Sequence, residues 1–178
     1  MSGWRPGDRK ADRESMLRVD QAGEYGATRI YAGQLAVLRS NAPEAKLIAR
    51  MAAQEERHLK RFDALIAARR VRPTALQPLW NVAGFALGAA TALMSDKAAL
   101  ACTDAVETEI DRHYGQQLDE LGDDDPELAA DIAEFRAEEL EHRDTARAAG
   151  AADAVGYPIL TAAIRAGCRV AIELSKRI

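Results

Sequence analysis

The chain has 178 residues, enough for one domain with a sizeable core, and 48% of them are apolar while only 5% are aromatic. Its net charge of -4 gives no reason to expect nucleic acid binding. Cys102 and Cys168 form no CxxC pair, which excludes a zinc ribbon or rubredoxin-type site, argues against a structural disulfide and suits a reducing compartment.

Met1 to Ser15 carries charges of both signs and has no apolar h-region, so it does not read as a secretory signal, and its acidic residues count against a transit peptide. Residues 1–14 are expected to be a flexible lead-in and 15–178 a single domain. Abundant Ala, Leu, Glu, Arg and Gln predict an all-α protein. The first helix is expected from about Arg13 to Ser40 and the second from Pro43 to about Arg70, stopped by Arg72-Pro73. A third, Leu79 to Met94, is almost wholly apolar. Its Gly84 and Gly88 form a small-xxx-small pattern that permits close helix approach, and it is short for a membrane span. Ser95 or Asp96 can cap a fourth helix to Leu121, and Asp125 a fifth to about Ala149. Gly150, Gly156 and Pro158 break the pattern before a last helix from about Ile159.

Two of the three histidines sit in one local pattern, Glu55-Glu56-Arg57-His58 and Glu139-Leu140-Glu141-His142. A Glu and a His three residues apart share a helical face, so both reach one metal ion. Each pattern follows a helix with its own glutamate: Glu24 precedes Glu55 by 31 residues and Glu107 precedes Glu139 by 32. Glu24 to Glu107 is 83 residues and His58 to His142 is 84, the mark of two helical hairpins related by an internal repeat. One lone Glu and one ExxH per hairpin is the donor set of ferritin-like di-iron carboxylate bundles. Four carboxylates and two neutral imidazoles nearly balance two ferrous ions and leave positions open for dioxygen. The expectation is therefore a ferritin-like four-helix bundle with two additional apolar or amphipathic helices. Glu56, Glu109, Glu138 and Glu141 are neighbours of the chosen glutamates; Glu138 could also face His142, and Glu107 is preferred to Glu109 on the repeat offset alone. Gly23 and Gly26 inside helix one cost about 1 kcal/mol each relative to Ala, which suggests close approach of a neighbouring helix or a flat substrate. His113 and Tyr114 are candidates for hydrogen bonds to a ligand carboxylate, against the alternative of a half-exposed helix histidine.

Leu17 to Ala27 (LRVDQAGEYGA) and Arg29 to Gln34, with Glu55–His58, Ala105-Val106-Glu107, His113-Tyr114 and Phe135 to His142, resemble the demethoxyubiquinone hydroxylases. These are flavin-independent di-iron mono-oxygenases of ubiquinone biosynthesis. The resemblance implies metal ligands at Glu24, Glu55, His58, Glu107, Glu139 and His142, leaving open which carboxylates bridge. It implies catalytic relay roles for His113 and Tyr114. It further implies two iron ions, dioxygen as co-substrate, an external reductant, and hydroxylation of the ring of a polyprenylated quinol. No flavin or dinucleotide fingerprint is visible in the chain. A lipid-borne substrate makes the apolar third helix, Trp80, and the last helix with Arg165, Arg169 and Lys176 candidates for peripheral contact with the membrane, on the cytoplasmic face of the cell membrane. A homo-oligomer or accessory ubiquinone-biosynthesis proteins are further candidate partners. The competing readings are a ferritin-like iron-handling protein, a di-iron hydroxylase of another substrate such as a modified tRNA base, and a structural bundle.

Overall fold

The computed structural model describes residues 11–178; most of the expected lead-in lies outside them. Among the described residues all regular structure is helical: α1 (Arg13–Val37), α2 (Pro43–Arg69), α3 (Gln77–Met94), α4 (Asp96–Leu121), α5 (Pro126–Ala148), a short turn of 3-10 helix at Ala151–Asp153, and α6 (Tyr157–Arg177). The starts are capped as side-chain chemistry dictates. Asp12, Ser95 and Asp125 accept from the backbone N–H groups of Ser15, Ala98 and Leu128, which would otherwise be orphaned. Pro43 and Pro126 occupy first helical positions. Three boundaries differ from expectation. α1 stops at Val37 because Leu38 turns extended and buries its side chain. α3 starts at Gln77, and α6 starts at Tyr157, directly after Gly156 takes a left-handed φ of 71°.

The helices α1, α2, α4 and α5 form the bundle. One end of its core joins Leu17, Phe62, Leu65, Tyr114, Leu128, Ile132 and Phe135. The other joins Tyr31, Ile48, Met51 and Ala99. Between these clusters each of the four helices buries at least one acidic side chain, Glu24, Glu55, Glu107 and Glu139, so the polar site lies mid-bundle between two apolar clusters.

α3 lies on α1 at backbone contact. A Cβ at Gly88 would sit 1.9 Å from the Ile30 carbonyl oxygen, and one at Gly33 would sit 2.1 Å from that of Phe85. The small-xxx-small pattern is thus a helix-packing device, as its spacing suggests, and Gly33 supplies the matching gap on α1. Gly23 and Gly26 are different: nothing lies within 4 Å of a Cβ added to either. They are not packing glycines. Both line an apolar cavity of about 560 Å³ enclosed by α1, α3, α4 and α6.

α6 is held to α4 by Glu109, which is fully buried and pairs with Arg112, Arg165 and Arg169. Its C-terminal end is clamped by Arg18, whose guanidinium donates to the Lys176 carbonyl, and by the Trp80 indole, which donates to Ser175. The expected basic stripe of the last helix therefore also has partners within the protein, although the Arg165 and Arg169 side chains stay 40% and 53% exposed. Arg165 and Arg169 answer an internal carboxylate, and Lys176 pairs with Glu173. The outward faces of α3 and α6 remain apolar, with Val82, Leu93, Ile159 and Val170 all more than half exposed.

The two classes of glycine separate experimentally. Gly88→Ala should lower stability by about 2 kcal/mol through overpacking, while Gly23→Ala should raise it by about 0.5–1 kcal/mol. Thermal unfolding followed by circular dichroism reads both; equal shifts of one sign would refute the distinction.

Candidate metal centre

Burying a carboxylate is costly unless a cation or donor meets it, and the middle of this bundle buries four. Glu24 on α1, Glu55 on α2, Glu107 on α4 and Glu139 on α5 are each at most 1% exposed, and His58 and His142 at most 2%. Their donor atoms fall into two groups, each with all atoms within 4.8 Å of one another: Glu24, Glu55, His58 and Glu139, and Glu55, Glu107, Glu139 and His142. Glu55 and Glu139 belong to both. All six residues singled out in the sequence are therefore brought together, and the two glutamates of the ExxH patterns occupy the shared middle.

Each histidine turns Nδ1 inward. His58 Nδ1 lies 3.0 Å from Glu139 and 3.5 Å from Glu24. His142 Nδ1 lies 3.1 Å from both Glu55 and Glu139. The outer nitrogens have polar partners: His58 Nε2 is 2.6 Å from Glu138 and His142 Nε2 is 2.9 Å from Gln54. The outer glutamates are steadied by phenols. The Tyr31 hydroxyl donates to Glu107 at 2.7 Å, and the Tyr114 hydroxyl donates to Glu24.

The protein alone does not satisfy this cluster. Both Glu55 oxygens, one oxygen each of Glu24, Glu107 and Glu139, and His58 Nδ1 are buried without a hydrogen-bond partner. Burial, then repulsion from the neighbouring carboxylates, pushes Glu55 and Glu107 well above the usual carboxylate range. Burial alone would lower His58, but Glu139 and Glu24 override it and raise the ring to about 10. Buried oxygens converging in two overlapping groups, each with one imidazole, fit a pair of divalent cations of the iron type.

The other sequence candidates separate. Glu109 is the α6 anchor, and Glu56 and Glu141 are exposed. Glu138 faces His58 and not His142, because the ring across the bundle is nearer than the one a turn away on its own helix. Arg57 also holds it. Burial pushes Glu138 up, but His58 and Arg57 together leave it below the ordinary range. His113 is buried, but Nε2 lies 3.3 Å from Asp20 and so meets none of the six converging residues. Tyr114 touches one directly.

Comparison with known proteins adds an independent line. The model of the family "Ubiquinone biosynthesis protein COQ7" matches residues 11–175. The chain belongs to this family. It is 57% identical over 165 residues to the 3-demethoxyubiquinol 3-hydroxylase of Rhodospirillum rubrum, covering 93% of this chain and 78% of that protein. It is 51% identical to the mitochondrial NADPH-dependent 3-demethoxyubiquinone 3-hydroxylase of Homo sapiens over 95% of this chain and 79% of the relative. With the mitochondrial 5-demethoxyubiquinone hydroxylase of Saccharomyces cerevisiae it shares 43% identity over 93% of this chain and 78% of the relative.

Sequence reasoning on this COQ7-family chain missed Tyr31, Gln54 and the true partner of Glu138. The internal repeat contained the signal. Tyr31 follows Glu24 by seven residues and Tyr114 follows Glu107 by seven, and each phenol holds the other hairpin's glutamate. Gln54 and Glu138 each immediately precede an ExxH, 84 residues apart, and each reaches the other hairpin's histidine.

A cluster that holds protons in place of cations must release them on loading. Protons bound at His58, Glu55 and Glu107 should leave if divalent cations enter, about one to three per metal pair near neutral pH. Since metal uptake releases protons, affinity for the metal pair should fall about ten- to a thousandfold from pH 7 to pH 6, tenfold for each proton released. Calorimetry in buffers of different ionisation enthalpy measures the release; proton-independent binding would contradict this account.

Proposed function

We propose that the protein is a di-iron mono-oxygenase that hydroxylates the ring of a polyprenyl methoxy-methyl-benzoquinol, demethoxyubiquinol, with dioxygen in ubiquinone biosynthesis. The observation that carries this is the apolar cavity lying beside the buried carboxylate–imidazole cluster, with one wall of side chains between them. Ala27, Ile30 and Val106 line the large cavity and also a narrow void walled by Tyr31, Thr103 and Glu107. That void is too tight for a water molecule, so a quinol ring in the large cavity would lie one layer of side chains from Glu107, reaching the cluster as Ile30 and Val106 shift, while its isoprenoid tail stays among apolar side chains. An iron-storage bundle has no use for such a cavity, and a tRNA base would not choose it.

Glu24 and His58 would hold one metal ion, Glu107 and His142 the other, with Glu55 and Glu139 shared. Two bound ferrous ions supply electrons and open coordination positions for dioxygen. The chain's own residues orient and insulate. Tyr31 and Tyr114 fix the outer carboxylates by O–H donation, and burial, then the neighbouring carboxylates, raises both phenols well above their usual range so that they stay protonated. Apolar plugs at both ends of the bundle exclude water. His113 and Tyr114 are assigned catalytic relay roles. His113 lines a small polar recess with Ser15, Gln117 and Glu120 and faces Asp20, one turn before Glu24 on α1, while Tyr114 contacts Glu24 itself. That recess offers protons, or an external reductant, a side entrance separate from the lipid cavity.

The substrate's solubility sets the location. Among the described residues no helix is long and apolar enough to cross a membrane. The exposed Leu79, Val82, Phe85, Leu93 and Met94 of α3, with Ile159 and Val170 of α6, flank the cavity and suit peripheral insertion at the bilayer interface. Two free, largely buried cysteines suit a reducing compartment, and hence the cytoplasmic face of the cell membrane. A second copy of the chain or accessory ubiquinone-biosynthesis proteins would dock elsewhere on the surface.

Two experiments test the proposal. Purified protein loaded with ferrous iron, given demethoxyubiquinol, dioxygen and a chemical reductant, should yield a product heavier by one oxygen atom by mass spectrometry. Glu139→Ala or His142→Ala should abolish that product and lower bound iron while helicity persists; full activity in both would defeat the assignment. Gly167→Phe should fill the cavity, where nothing lies within 4 Å of an added Cβ. It should lower kcat/KM for the long-tailed quinol at least about tenfold without loss of iron. Unchanged kinetics would mean the substrate enters by another route.

A further inference from the structure

The internal repeat equips both hairpins with matching support for the candidate metal centre, except at one pair of positions. The phenols match: Tyr31 holds Glu107 and Tyr114 holds Glu24. The partners of the histidines do not. His142 Nε2 meets the side-chain oxygen of Gln54 at 2.9 Å, a neutral amide, while His58 Nε2 meets a Glu138 oxygen at 2.6 Å, a carboxylate. Both rings turn Nδ1 to the cluster, so a metal on Nδ1 leaves the proton on Nε2, and both Nε2–H groups donate outward. An anionic acceptor draws that proton further than an amide does, which accords with the shorter contact.

We propose that Gln54 and Glu138 make the two metal positions unequal, so that the position formed by Glu24, His58 and the shared glutamates binds divalent iron first and more tightly than the one formed by Glu107 and His142. The reasoning concerns donor strength. A carboxylate hydrogen-bonded to a ligating imidazole gives the ring imidazolate character and makes its inner nitrogen a better donor; loss of such a partner costs about ten- to a hundredfold in affinity. The Glu138 carboxylate is itself built in. Arg57 pairs with it and with Glu134, and that guanidinium lies 5.9 Å above the Phe135 ring. His58 stacks on the other partner of the arrangement, its ring 4.1 Å from Phe135. The carboxylate, its counter-ion and the imidazole plane are therefore fixed together. Glu138 is a positioning residue: it acts through His58.

The inference rests on the reading of the site as a two-metal centre, and one experiment separates their fates. The metal-free full chain is titrated anaerobically with 57Fe(II) at neutral pH and followed by Mössbauer spectroscopy. In the wild type the first equivalent should fill one quadrupole doublet and the second equivalent a different one. Glu138→Gln keeps an oxygen for His58 and so keeps the ring in place. It should weaken the first-filled position about ten- to a hundredfold and bring the two filling curves together. Gln54→Glu should tighten the second-filled position and close the gap from the other side. Circular dichroism checks that each variant is folded, and the second variant stands if the first is not. Two ions that fill equally in the wild type would overturn the inequality while leaving the two-metal centre intact, as would a filling order unmoved by either variant. A wild-type chain that takes up no iron would overturn both.

Discussion

Four carboxylates buried within reach of one another form the constraint around which this molecule is organised. No helical protein gains stability from such a cluster alone, since each charge loses its water and repels the others. The cluster is tolerable only with cations between the carboxylates or protons on them. The raised positions of Glu55, Glu107 and His58 are the proton-bound form of that compromise. The bundle supplies everything else: four helices that each contribute from mid-length, apolar plugs above and below, and phenols that hold the outer carboxylates still.

The second constraint comes from the cavity. A bundle of four helices would close over its polar middle. Here α3 and α6 lie against α1 and α4 and keep a space of about 560 Å³ open, separated from Glu107 by the wall of Ala27, Ile30 and Val106. The glycines divide by purpose. Gly33 and Gly88 let α1 and α3 touch, while Gly23, Gly26 and Gly167 leave empty volume where side chains would fill it. Glu109 and its arginines then hold α6 as a wall of that space. Half-exposed arginines on the last helix thus hold it in place beside the cavity, and its exposed apolar side chains, Ile159 and Val170, are left for a lipid surface.

The donor set and its helical setting were legible in the sequence because both are local or periodic. A Glu and a His three residues apart lie on one face of any helix, and a repeat of 83 or 84 residues pairs each ExxH with its glutamate. Helix starts were legible for the same reason: Asp12, Ser95 and Asp125 cap by contacts three residues long. The repeat even held the positions of Tyr31 and Gln54, although only their reach across the bundle gives those positions meaning.

Sequence by itself determined that this chain is helical, that it carries two equivalent hairpins, and that six particular side chains could meet. Tertiary structure alone decided which carboxylates stand in both halves of the cluster, that Glu138 serves His58 while Gln54 serves His142, and that Arg165 and Arg169 turn to Glu109. The physical reason is range. Helical periodicity fixes a side chain's direction to within a turn, whereas partners on different helices depend on crossing angle, axial stagger and depth, which are set by close packing at Gly33 and Gly88 and by the two apolar plugs.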